Sequence, residues 1–276
     1  MKSNSFPKGD FILKIAVSDF DGTLFFHQND TIPQINIEAV KKWRSVGNIF
    51  CICTGRDMRS LMYEMNRHRM EYDFIICNNG GTLFDKNLNI VKSFPLDRQM
   101  LLKLVHSDIA ADSWHIMYSA VDKMRTTINS DKSQLLKYFN SVKYKNQEII
   151  KIVSIEEALA EMEPVQISLA YENEQIAEKY AQRIETEFND AFSANLNLNC
   201  IDVCRKNITK ASGVKELLKL NPAWQNAEVL TIGDAQNDVP MIEEFNGYSL
   251  NSATEHAKQH AAKLYNSVGE MLLKNL

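Results

Sequence analysis

Toward both ends of the chain, short continuous apolar runs alternate with amphipathic stretches. KIAVSD predicts a strand closing at Asp19, and INIEAVKKWRSVG, residues 35–47, then sets Ile37, Val40 and Trp43 at helical spacing before Gly47 stops it. NIFCICTG predicts a second strand. RDMRSLMYEMNRH gathers Met58, Leu61, Met62 and Met65 on one helical face, and YDFIICNNGG, residues 72–81, predicts a third strand. Apolar strands separated by helices imply parallel βαβ units with right-handed crossovers. The pattern returns later as a helix in ASGVKELLKL, a strand in AEVLTIGDAQND, a short strand in GYSLNS, and a strand and closing helix in KLYNSVGEMLLKNL.

Between Pro95 and Cys200 the pattern changes. Helical periodicity covers residues 97–110, 131–141, 155–162 and 173–189, while WHIMYSAV, MRTTIN, IIKIVSI and VQISLAY have strand character. Two of those strands flank Asp122 and Lys123 and predict a hairpin; Trp114 and Tyr118 are assigned to a core. The expected fold class is α/β: a Rossmann-like doubly wound parallel sheet core with an inserted α+β domain. Its expected boundaries are 1–92 and 203–276 for the core, and 93–202 for the insert.

A chain of 276 residues with 45% apolar and 24% charged residues has room for a sizeable core and has ordinary globular composition. A formal charge of −4 argues against a surface for duplex nucleic acid. The opening MKSNSFPKGDFILK holds no apolar stretch suited to a signal peptide, and no run approaches the roughly 20 residues of a membrane span, so the expected location is cytoplasmic. Five cysteines form no CxxC pair; Cys51, Cys53 and Cys77 lie inside apolar strand-like runs and are expected to be reduced core residues. His256 and His260 are spaced i, i+4 on a polar stretch, which reads as surface.

Ligands of open parallel sheets bind beyond the carboxyl ends of the strands. Asp19 and Asp21, Thr54 with Gly55, Asn79 with Gly80 and Gly81, and Asp234 with Asn237 and Asp238 all fall at such ends. In a strand, Asp19 and Asp21 would point to one side, and like charges held so close call for a cation between them. Acids from the first strand and from GDAQND can share a hard divalent ion, most simply magnesium. Taken singly, each element has an ordinary reading: a turn after a strand, an N-cap at Thr54, a solvated Lys210, an acidic loop. Yet the D-x-D-G-T pattern at 19–23 recurs by chance in only roughly one window in 10⁵ at ordinary residue frequencies.

DFDGTL at 19–24, TGR at 54–56, NGG at 79–81, Lys210 and GDAQNDVPM at 233–241 occur in an order that resembles the haloacid dehalogenase-like (HAD-like) superfamily, specifically its Cof-type phosphatases with a large inserted cap. The resemblance implies Asp19 as a nucleophile forming an aspartyl-phosphate and Asp21 as general acid and base. It further implies backbone N–H groups of Phe20 and Gly55, the Thr54 hydroxyl, Lys210 and Asn237 as phosphate holders, and Asn79 facing the cap and substrate. Magnesium would be held by Asp19, the Asp21 main-chain carbonyl and Asp234, with Asp238 supporting. YSLNSA, after the fourth motif, keeps Asn251 and Ala253 where family members often carry a glycine as well. The implied function is magnesium-dependent hydrolysis of a small phosphate monoester, a sugar or cofactor phosphate. Alternatives are a non-catalytic phosphometabolite sensor and a phosphosugar mutase; dehalogenation has no use for an acid at Asp21. The expected partner is a small-molecule phosphate ester, with neither nucleic acid nor membrane, and the oligomeric state stays open.

Overall fold

The computed structural model describes residues 12–129 and 150–276. Strands β1 (Lys14–Ser18), β2 (Ile49–Cys53) and β3 (Phe74–Cys77) pair in parallel, joined by helices α1 (Gln34–Ser45) and α2 (Met58–His68). Helix α1 buries Val40 and Trp43 of the stripe its periodicity predicts, with Ala39 beside them, while Ile37 is half-buried. Helix α2 starts where the Asp57 carboxylate accepts the N–H groups of Arg59 and Ser60. Beyond β3 come β4 (Thr82–Asp85) and β5 (Ile90–Ser93), an antiparallel meander that the sequence pattern did not predict. Both are only four residues long, and β5 is half-exposed, so neither has an apolar run to announce it.

The insert begins with α3 (Arg98–Val105) and α4 (Asp108–Ala111). The single helix expected over 97–110 is therefore split at His106 and Ser107. Strands β6 (His115–Ser119) and β7 (Met124–Ile128) form the expected hairpin, closed by Ala120 N–H donating to the Lys123 carbonyl at 3.0 Å. Next are β8 (Ile150–Ile152), α5 (Ile155–Glu161), β9 (Gln166–Ala170) and α6 (Glu174–Glu187). Two further strands, β10 (Phe192–Asn197) and β11 (Cys200–Arg205), complete a second sheet in the order β10-β11-β9-β6-β7-β8. FSANLN is too polar to read as a strand by itself. β11 runs past the expected boundary at residue 202, with Asp202 paired to Ser168 and Asn195. The helix expected over 131–141 lies outside the described residues.

The chain then returns to the first sheet through α7 (Lys210–Leu218), β12 (Glu228–Gly233), α8 (Val239–Glu244), β13 (Tyr248–Leu250), α9 (Glu255–His260), β14 (Lys263–Tyr265) and α10 (Val268–Lys274). The sheet order is β14-β13-β12-β1-β2-β3-β4-β5. Connections leave β1 toward β2 on one side and β12 toward β13 on the other. The topological switch point, where such sheets bind ligands, thus falls between β1 and β12.

Each sheet has its own core. In the insert, Ile116, Tyr118, Ile167, Leu169, Ile201 and Val203 face α3 and α6, while Trp114, just before β6, is half-buried. Side chains alternate along a strand, so the intervening residues of β6, β9 and β11 occupy the opposite face. That face covers the switch point. Among the described residues, no helix is long and apolar enough to cross a membrane.

Candidate active site

β1 ends at Ser18, and Asp19 N–H donates to the Ile232 carbonyl at 2.9 Å, stitching the loop after β1 to β12. The Asp19 carboxylate is buried. Lys210 opens α7 and is only 1% exposed; its Nζ donates to Asp19 Oδ1 and to Asp238 Oδ1, each at 2.6 Å. The other Asp238 oxygen accepts the N–H groups of Asp234 and Ala235, both at 3.0 Å. Thr23 donates its hydroxyl to Asp234 Oδ1 at 2.6 Å. Carboxylate oxygens of Asp19, Asp234 and Asp238 lie within 4.8 Å of one another.

Three clustered carboxylates with one ammonium leave negative charge uncompensated. Burial and then the Asp238 charge push the Asp19 carboxyl well above the usual range; burial also raises Asp234. Burial works against the Lys210 ammonium, but Asp19 and Asp238 beside it outweigh that cost and raise its pKa. The donor set is entirely hard oxygen and electron-rich, which fits a divalent cation such as magnesium.

Asp21 has separate partners. Arg56 clamps its carboxylate bidentately, Nε to Oδ2 at 2.7 Å and Nη2 to Oδ1 at 2.6 Å, while His27 Nε2 sits 2.7 Å from Oδ1. The guanidinium also lies 5.0 Å from the ring centre of Phe20, which stacks on Phe25. Burial would raise the Asp21 carboxyl, but the His27 and Arg56 hydrogen bonds and the Arg56 charge prevail and hold it at about 2. The expectation that one cation sits between the two aspartate side chains is corrected here: Asp19 belongs to the buried cluster, and Asp21 to an Arg–His clamp. Gly22, directly after Asp21, turns the chain at φ +82°, where a Cβ would come within 2.3 Å of Asp234 Oδ2.

The remaining sequence-selected residues converge on the same crevice. Thr54 is buried, its hydroxyl accepting Arg56 N–H at 3.1 Å, and the Gly55 carbonyl accepts Gln166 Nε2 at 3.3 Å. Asn79 is a junction: its Nδ2 donates to Gln166 Oε1 at 3.1 Å and Asp202 Oδ2 at 3.2 Å, and its Oδ1 accepts Asn237 Nδ2 at 3.0 Å. Its loop is pressed against the start of α7, since a Cβ on Gly80, at φ +103°, would come within 2.2 Å of the Thr209 carbonyl oxygen. Asp19, Asp21, Thr54, Gly55 and Asn237 line a cavity of about 280 Å³ roofed by the insert's sheet. Phe20, Lys210 and Asp238 are buried, with Asp234 beside them. Sequence reading gave no role to Arg56, although it stands in TGR, nor to His27, Gln166, Ser168 or Asp202. Asp202 did carry a signal: a single acid among the apolar residues of CIDVCR.

A doubly wound sheet with acids gathered at its switch point, roofed by a second α/β unit, is a core-and-cap architecture. The chain belongs to the haloacid dehalogenase-like hydrolase family, of the Cof type; the family model matches residues 16–270. A Haemophilus influenzae protein with a provisional phosphatase assignment is 20% identical over 243 residues, 83% of this chain and 81% of that protein. Among solved structures, a haloalkanoate-superfamily phosphatase from Bacteroides thetaiotaomicron superposes with a TM-score of 0.78 at 20% identity, over 99% of this chain and 97% of that one. A subclass IIB sugar phosphatase gives 0.77 at 18% identity, over 95% and 98%.

Proposed function

We propose that the protein is a magnesium-dependent phosphatase that hydrolyses a small phosphate monoester, a sugar or cofactor phosphate, through an aspartyl-phosphate on Asp19. The observation that carries this reading is the buried Asp19, fixed beside Lys210 within a carboxylate cluster short of positive charge. Asp19, Asp234, Asp238 and the Asp21 main-chain carbonyl would hold a magnesium ion, which would supply positive charge against the repulsion between a carboxylate and a phosphate dianion. Lys210 engages Oδ1 of Asp19, which leaves Oδ2 to attack phosphorus. The ester P–O bond breaks, and Asp21 delivers a proton to the departing alkoxide. Water then attacks phosphorus, Asp21 takes its proton, and the Asp19 Oδ2–P bond breaks to release inorganic phosphate and the free carboxylate.

Asp21 is held here as a carboxylate, the form the second half of the cycle needs. A phosphate dianion entering beside Arg56 competes for the guanidinium and favours protonation of Asp21 for the first half. Phe20 and Gly55 N–H groups, the Thr54 hydroxyl, Lys210 and Asn237 hold the phosphate oxygens. The insert acts as the cap that excludes water and meets the leaving group.

Phosphate release from p-nitrophenyl phosphate and a panel of sugar and cofactor phosphates, with magnesium and with chelator, tests the reading. Turnover should fall at least tenfold in chelator, and magnesium at about a hundred times its Kd should stabilise the fold by about 2.7 kcal/mol. Folded protein that binds magnesium but hydrolyses nothing would overturn the proposal.

A further inference from the structure

The cap-side wall of the cavity has an unusual charge balance. Its described residues include His115, Ser119, Gln166, Ser168, Asn197 and Asp202, with Met117, Met124, Leu196 and Cys200 between them, and neither lysine nor arginine. His115 contributes no compensating cation near neutrality, because burial lowers it to about 4. On the core side, Lys210 is paired with Asp19 and Asp238 and Arg56 with Asp21, and in the phosphatase reading both serve the transferring phosphate rather than the leaving group. Asp202 is therefore the only charged group on that wall among the described residues.

Alternation along β11 sends Ile201 and Val203 into the insert's core and Asp202 to the cavity face. The residue is 8% exposed. Ser168 donates its hydroxyl to Oδ1, and Asn79 donates to Oδ2 at 3.2 Å, so both oxygens act as acceptors. Burial raises the carboxyl above its ordinary value, and Ser168, Asn79 and Lys210 reduce that rise without cancelling it. Each carboxylate oxygen retains a second lone pair for a hydroxyl on the substrate.

Resting on the phosphatase reading above, we propose that Asp202 is a specificity-determining residue. It accepts hydrogen bonds from the hydroxyls of a neutral polyol leaving group and rejects phosphate esters whose leaving group carries a second anion. A neutral polyol satisfies Asp202, Ser168 and Gln166 together. A carboxylate or second phosphate there would face Asp202 with no cation among the wall's described residues to offset it, and like-charge juxtaposition in a desolvated site costs orders of magnitude in binding.

The test compares kcat/KM for sorbitol phosphate and for the phosphogluconate of equal chain length, a terminal alcohol against a carboxylate. Wild-type enzyme should favour the alcohol at least tenfold, mainly through KM. Asp202→Asn should reduce that preference at least fivefold. Should Asp202→Asn fail to fold, Ser168→Lys, which places a cation against the same carboxylate, should compress the ratio likewise. A wild-type ratio below threefold, or an unchanged ratio in a folded variant, overturns the assignment while leaving the phosphatase reading intact. Absence of magnesium-dependent p-nitrophenyl phosphate hydrolysis by wild type overturns both.

Discussion

Asp19→Asn should lower kcat by about 10⁴ or more, because an amide cannot replace the attacking carboxylate and removal of a nucleophile is among the most damaging single changes in covalent catalysis. The same change should make the metal-free protein more stable. A carboxyl whose folded pKa is raised contributes stability below its unfolded value, and that contribution disappears as pH rises through the folded value. Asp19 is raised well above 3.8 by burial and by Asp238, so near neutrality its charge opposes folding. The asparagine is nearly isosteric and leaves Lys210 its bond to Asp238. Thermal melts in chelator should therefore show a higher Tm for Asp19→Asn than for wild type, and the stabilisation by magnesium should shrink. Loss of activity accompanied by a lower chelator Tm would mean that Asp19 is structural, and full activity would remove it from the chemistry.

The parallel core was legible because buried strands are continuous apolar runs and their helices carry an apolar stripe, as KIAVS and the Val40–Trp43 pair do. The convergence of Asp19, Thr54, Asn79 and Asp234 was legible too, since polar residues at strand ends need only the topology rule to bring them together, whereas Lys210, at a helix start, was pointed to only by the family resemblance. The edge strands β5 and β10 were hidden by their half-exposed, polar sequences. So was the clamp on Asp21. His27 lies six residues away and Arg56 thirty-five, and only the fold of the loop after β1 against the start of α2 decides that both meet one carboxylate. Asp202 shows a similar limit: alternation assigns it to a face, but not to a cavity above a different sheet.

Lys210→Met should be the most destabilising single change in the site. Lys210 is as buried as any core leucine and has partners only because Asp19 and Asp238 lie 2.6 Å from its ammonium. A methionine fills much the same volume, so packing survives while three clustered carboxylates lose their nearest cation. Removing one partner of a buried ionic cluster costs about 3–5 kcal/mol, since the charges left behind remain desolvated. The ammonium's pKa is raised above its ordinary 10.5, so its stabilisation is present throughout the neutral range and is lost only in strong alkali. The deficit in the variant should narrow as pH falls, because Asp19 and Asp234, already raised, protonate and relieve the repulsion without a lysine. Magnesium should restore part of the Tm but little activity, since one phosphate-holding charge is gone and kcat/KM should stay at least a hundredfold down. Urea melts of wild type and Lys210→Met across pH, each in chelator and in magnesium, separate these effects. A variant equal to wild type in chelator at neutral pH would show that the carboxylates do not depend on Lys210 for compensation, and the electrostatic account of the cluster would have to be abandoned.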